Sequence, residues 1–256
     1  NSILEGSGAS LQGAITNDGQ VIFNQSSKST FGGSISSTTP AALITKKGTG
    51  TVTFTHPNPS FQGQTQIEQG TVLTDSVLGG SVTIFSGGTL GGVGSIAHDV
   101  QNNGFISPGN SIGTLSIGGN YQQTFAGTYI NEIDSQGNSD LIKVGGTASL
   151  GGTLLVVSLD GVVNSTKTYT ILHAAGGIKN TYANVIAANP MLVPIVHYLP
   201  YDVKLNVQSI FENIATNHNQ HEVADQLISI TSPTPSELNI LMQLAQLART
   251  QDTEHQ

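Results

Sequence analysis

Short bursts of period-two alternation run down the first half of the chain: Val21-Ile-Phe23, Val52-Thr-Phe54, Val72-Leu73, Val82-Thr-Ile84 and Leu115-Ser-Ile117. Each is three to five residues long, with Val, Ile, Leu or Phe in one phase and Thr, Ser, Asn or Gln in the other, as half-buried strands require. Between them sit Asn17-Asp-Gly19, Gly32-Gly33, Lys47-Gly48, Gln69-Gly70, Gly79-Gly80, Gly87-Gly88 and Asn103-Gly104. Glycine corners supply positive φ cheaply, and Asn-Gly pairs also favour hairpins, so a β-sandwich is one reading. The other is a solenoid, favoured because strand, corner and polar edge recur at about 20 to 25 residues, the length of one coil. With that period the first 120 residues make roughly five coils spaced near 4.8 Å.

Residues 122 to 208 carry longer strands, including Thr128-Tyr-Ile-Asn-Glu-Ile133, Thr153-Leu-Leu-Val-Val157 and Asp202-Val-Lys-Leu-Asn-Val207, and hairpins are expected there. After Val207 the period becomes helical. Asn219-x-x-Glu222 has the form of a capping box, and Thr234, Pro235 and Glu237 form a second helix start running to about Arg249. The expected fold class is all-β: a right-handed parallel β-helix over 1–121, a hairpin-rich C-terminal β cap over 122–208 and a short helical tail over 209–256.

Composition narrows the function. Aromatic residues are only 5% of the chain, so the core must consist of many small aliphatic layers. Eight basic residues against 16 acidic give a net charge of −8, with Lys46-Lys47 the only adjacent pair. Nucleic acid needs a clustered basic footprint, which is missing, and the same absence argues against docking on anionic lipid. No cysteine is present, which excludes disulfides, thiolate chemistry and Cys-based metal sites. The first residues lack an initiator Met, a basic region and an apolar core, so an internal fragment is expected.

One long stretch carries more. Ile106-Ser-Pro-Gly-Asn-Ser-Ile-Gly-Thr-Leu115, Gly118-Gly-Asn-Tyr121, Gly127-Thr-Tyr-Ile-Asn-Glu-Ile133, Asn138-Ser-Asp-Leu-Ile-Lys-Val144 and Gly145-Gly-Thr-Ala-Ser-Leu-Gly-Gly-Thr-Leu154 follow one another in order. The chain resembles the C-terminal passenger region of bacterial type V autotransporters over roughly residues 50 to 249, a span of stacked repeats. That resemblance implies a β-helix stem, an autochaperone-like segment over 122–208 that folds early, and a helical linker toward an outer-membrane β-barrel. It places the chain at the cell surface or outside a Gram-negative cell, with its own barrel as partner. The residues expected to form the folding nucleus are Tyr121, Phe125, Tyr129, Ile133, Leu141 and Val144.

Candidate chemistry is sparse. Some autotransporter passengers carry a Gly-Asp-Ser-Gly nucleophile motif, which this sequence lacks; Ser7 and Ser76 are the nearest imitations. His218 and His221 sit beside Glu222 without the spacing of a zinc protease motif, and no metal or cofactor is expected. Asp134 and Asp140 are the nearest approach to a hydrolytic carboxylate pair, with turn stabilisation the simpler reading; Ser139 stands where the resembled family usually has His. The expected function is a non-catalytic stem and folding nucleus supporting secretion and surface display, of a virulence or adhesion protein. Alternatives are an adhesin surface that binds host protein or glycan, marked by a row of exposed aromatics, and a glycan-cleaving solenoid enzyme.

Overall fold

The computed structural model describes residues 2–160 and 165–209, and within them every regular element is a β-strand. The chain winds as a parallel β-solenoid with three faces per coil. Gln20–Asn24 lies on the first face, Ser29–Phe31 on the second and Ser34–Ser36 on the third, and Leu43–Lys47 returns to the first. Where the corner is shallow a single strand rounds it: Gln64–Thr74 and Ser81–Gly92 each serve both of the first two faces, the latter with a register shift between Ile84 and Gly87.

Register converts the alternation into columns. On the first face Leu4, Val21, Ile44, Thr65, Val82, Val100, Tyr121, Ala148 and Ile178 stand in line. Val52, Val72, Leu90, Ile106, Tyr129, Leu154 and Val185 align on the second. Leu78, Ile96, Ile117, Val144 and Ala174 align on the third. Away from the two ends these positions are buried, so each coil covers the apolar edge of its neighbour and the columns form one continuous core. Burying each aliphatic side chain fully contributes about 1.5 to 3 kcal/mol.

Coil length departs from the expected period. From Thr65 to Val82 a coil takes 17 residues, and from Ala148 to Ile178 it takes 30. The shorter coils put more than five turns into the first 120 residues, because the glycine corners are tighter than a loop-bearing coil needs. At Gly104 the cause is contact: a Cβ there would lie 2.1 Å from the Phe85 carbonyl of the coil beneath.

The parallel pairing does not change at residue 122. Tyr121–Gln123 stacks on Ala148–Ser149, and Thr128–Ile133 on Thr153–Ser158, with parallel register through Asn184–Ala187. Among the described strands, antiparallel pairing beyond two isolated bridges is confined to a final hairpin, Leu192–Tyr198 with Asp202–Ser209, which docks on Tyr169–Ala174 at the end of the third face. The segment reads as hairpin-rich because its coils carry excursions, one of which, at 134–138, closes with an antiparallel bridge between Ile133 and Ser139. The expected helical tail, His218 and His221 lie outside the described residues. Among those described, no helix is long and apolar enough to cross a membrane.

Candidate functional site

A buried polar centre sits where Thr128–Ile133 turns into Leu141–Val144. Tyr129, Asn131 and Ile133 share the inward phase of their strand and are all fully buried. The Tyr129 hydroxyl donates to the Ile171 carbonyl at 2.8 Å and accepts from Asn131 Nδ2 at 3.0 Å. Asn131 Nδ2 also donates to the Asp140 carbonyl at 2.9 Å. Two neighbouring coils are thereby tied through one side-chain pair.

Asp140 completes the centre. Its Oδ1 accepts from the Gly113 N–H at 2.9 Å and its Oδ2 from the Glu132 N–H at 3.0 Å, while its own N–H donates to the Glu132 carbonyl at 2.8 Å. The carboxyl is buried, and desolvation outweighs the two N–H bonds, with Glu132 adding like-charge repulsion, so its pKa is pushed up to about 7. Gly113 closes the Ser107-Pro-Gly-Asn-Ser-Ile-Gly113 motif. That motif is a tight loop pinned to the preceding coil by reciprocal backbone bonds between Gly92 and Gly109 of 3.1 and 2.8 Å. Gly109 has φ +86°, and a Cβ on it would meet the Ser111 carbonyl at 1.8 Å, which requires glycine there.

Asp134 behaves differently. It sits on the exposed excursion and accepts from the N–H groups of Gln136 and Asn138 and from Asn138 Nδ2, bonds led by the last that hold its carboxyl below the usual range. It stabilises a turn, whereas Asp140 clasps two neighbouring coils. They do not flank a common cleft in the manner of a hydrolytic pair. Ser7 exchanges hydrogen bonds with Ser10 in a surface turn. No group of three metal-ligating side chains converges among the described residues.

Of the expected nucleus residues, the structure buries Tyr121, Tyr129, Ile133 and Val144 in the common core. Leu141 faces partly outward at the start of its strand. Phe125 departs from expectation: it is 91% exposed, because it lies in the turn between Tyr121–Gln123 and Thr128–Ile133 rather than on a strand.

Sequence reasoning missed a second polar column, at the corner from the first face to the second. Lys46 Nζ donates to the carbonyls of Lys47 and Gly48, both at 2.6 Å, and of Gln69 at 3.2 Å. In register further along are Asn102, whose Nδ2 donates to the Thr128 carbonyl at 3.2 Å, and Gln123, which donates to the carbonyls of Gly151 and Thr153 at 2.8 and 2.9 Å. These inward polar side chains satisfy corner carbonyls that sheet pairing leaves open. The available signal was phase: each falls where the alternation calls for an apolar residue.

Two curated proteins are similar to the chain in sequence. The chain is 28% identical over 206 residues, 75% of its length, to an extracellular serine protease of Serratia marcescens, and that match spans 20% of the protease. It is 31% identical over 186 residues, 67% of its length, to the Adhesin BmaC autotransporter of Brucella suis biovar 1 (strain 1330), covering 5% of that protein. The β-solenoid and these two relatives are consistent with an autotransporter passenger region. The chain spans a small part of the curated relatives it matches, and no family model matches it.

Proposed function

We propose that this passenger segment is a non-catalytic stem whose C-terminal coils act as the folding nucleus for secretion and surface display. The location is secreted or at the cell surface. The observation that carries the stem reading is that one continuous stack is similar to two proteins named for different activities, a protease and an adhesin. A part held in common by both is best explained as what supports an activity. The buried clasp of Tyr129, Asn131 and Asp140 favours the C-terminal coils as nucleus, because it joins three coils before any later coil can pair on them. Each coil then presents an open strand edge to the next, so that folding outside the membrane biases transport outward without ATP. The partner in this reading is the chain's own outer-membrane β-barrel.

A version truncated after residue 121 tests it. The remaining coils should refold slowly and be cut rapidly by protease at residues the intact chain protects. Refolding and protection equal to those of the intact chain would sink the nucleus reading.

A further inference from the structure

The third face carries a second column, pointing outward. One position before the buried Leu78, Ile96, Ile117, Val144 and Ala174 stand Val77, Ser95, Ser116, Lys143 and His173, in line across successive coils. One position after the buried residues, the outward side chains shrink to Ala97, Gly118, Gly145 and Ala175. The step in side-chain size cuts a shallow trough of about 430 Å³ along the solenoid axis, walled by Ser95, Ser116, Lys143 and His173. Over four coils at a repeat of about 4.8 Å it is roughly 15 Å long.

The polar groups of this wall are unengaged. Ser95 Oγ, Ser116 Oγ and Lys143 Nζ have no hydrogen-bond or ion-pair partner among the described residues, whereas Lys47 pairs with Glu68 at 3.7 Å and Lys204 donates to Thr170 Oγ1 at 2.8 Å. His173 is held in place: its Nδ1 lies 2.8 Å from Asp202 Oδ1 on the antiparallel hairpin, which fixes the ring and leaves Nε2 for a ligand. Among the described residues no Asp or Glu lines the trough, in a chain with 16 acidic residues against 8 basic. A cation without a local counter-charge, flanked by hydroxyl donors, is suited to an anionic group.

The surroundings narrow the anion. Backbone N–H groups on the floor are already bonded: Gly118 donates to Ile96 and Gly145 to Ile117, both at 2.8 Å, and Ala175 to Val144 at 2.9 Å. A peptide therefore finds no open strand edge to pair with. Serine hydroxyls that donate and accept together suit the hydroxyls of a sugar, and a floor without long side chains lets its ring lie close. A single lysine, in a chain of net charge −8, suits one carboxylate rather than a densely sulfated polymer. We propose that the trough binds a carboxylate-bearing sugar, with Lys143 on the carboxylate and Ser95, Ser116 and His173 on the hydroxyls. Lys143 separates Ser116 from His173 in the register, which puts them two coil repeats apart and beyond a nucleophile–base hydrogen bond, so the trough binds without cleaving. The site goes beyond the stem role and stands or falls independently of it.

Isothermal titration of the intact chain with tetragalacturonate, its uncharged methyl ester, sialyllactose and tetraglutamate tests it. Saturable binding is expected for at least one of the two acidic sugars, none for the ester, and binding at least tenfold weaker for tetraglutamate. Lys143→Gln should weaken binding of the acidic sugar about tenfold, and adding Ser116→Ala should weaken it further. Lys28→Gln, at an exposed lysine outside the trough, should leave binding unchanged. Lys143 is exposed, so the unfolding midpoint of Lys143→Gln should not move. The proposal is overturned if neither acidic sugar binds at millimolar concentration, if the ester or tetraglutamate binds as tightly, or if Lys143→Gln costs no more than Lys28→Gln.

Discussion

The N-terminal coils and the C-terminal coils share one backbone plan and fill it with different chemistry. Around residues 20 to 55 the centre is a cluster of Phe23, Phe31 and Phe54, edge to face with centroids 5.2 to 5.5 Å apart. Around residues 121 to 182 the large side chains are Tyr121, Tyr129, Tyr169 and Tyr182, with Asn131 and Asp140 buried among them and Asn131 bonded to Tyr129. An aromatic trio gains from burial and ring geometry and accepts many partners. A hydrogen-bonded centre is stable only in one register, because slipping it strands buried polar groups. The difference teaches that the two ends divide the work: one supplies bulk stability, the other specifies how coils align.

The largest effect should come from the phenylalanine trio. Phe54→Ala is expected to cost about 3 to 5 kcal/mol, with hydrogen exchange rising in the N-terminal coils while those around Tyr129 stay protected. Uniform loss of protection would erase the distinction between the two ends.

Asp140→Ala strands the N–H groups of Gly113 and Glu132, at about 1 to 3 kcal/mol for each. Urea denaturation should place it next in severity. The exchange pattern should be the reverse of that for Phe54→Ala, with opening at residues 107–113 and 131–144.

Proton linkage sharpens the contrast. Asp140 has its pKa raised from 3.8 to about 7, so between those values the folded chain holds a proton that the unfolded chain has released. Its contribution is fully present below that window and lost as pH rises through it. Glu132, raised by burial, acts in the same sense. Lys46 is lowered from 10.5 to about 8 by burial, so there the unfolded chain holds the extra proton and stability rises with pH. Above about pH 10 the buried tyrosines, raised by desolvation, reverse that gain. Urea midpoints across pH should therefore fall between 4 and 7, and the fall should flatten in Asp140→Asn. Lys46→Met should remove the rise above 8 and leave the acid side alone.

The smallest effect separates two tyrosines of the same region. Tyr129→Phe removes a hydroxyl with two partners and should cost roughly 1 to 2 kcal/mol. The Tyr182 hydroxyl is buried with no hydrogen-bond partner, so Tyr182→Phe should be neutral or slightly stabilising. Equal costs in thermal unfolding would mean that hydrogen bonding does not set the character of this end.

Much of the stack was legible because solenoid strands obey a local rule: the phase of Val21, Val82 or Leu115 reports the core without knowledge of any distant residue. Coil length was less so, since a corner can be two residues or an excursion, and Gly104 is set by a carbonyl of another coil. The parallel pairing between 122 and 187 was not legible, because local turns such as that closed by Asp134 look alike whether the chain turns back, as it does at 192–209, or carries on. At the site, Tyr129, Ile133 and Val144 were visible through alternation. Asn131 was visible only in hindsight of its phase. Asp140 was indistinguishable from a turn aspartate, since its partner Gly113 lies 27 positions away. Phe125 was misplaced because hydrophobicity was taken as burial, and at a corner the side chain has no facing layer.

Stacking parallel strands aligns their backbone hydrogen bonds with the long axis of the solenoid. A load applied by drawing the chain through a narrow opening therefore opens bonds a few at a time, as a zipper does, and never shears a whole sheet at once. Unwinding should proceed as a train of small, similar force steps, one per coil, with a larger step where the Asp140 carboxylate adds its side-chain bonds to those of the strands.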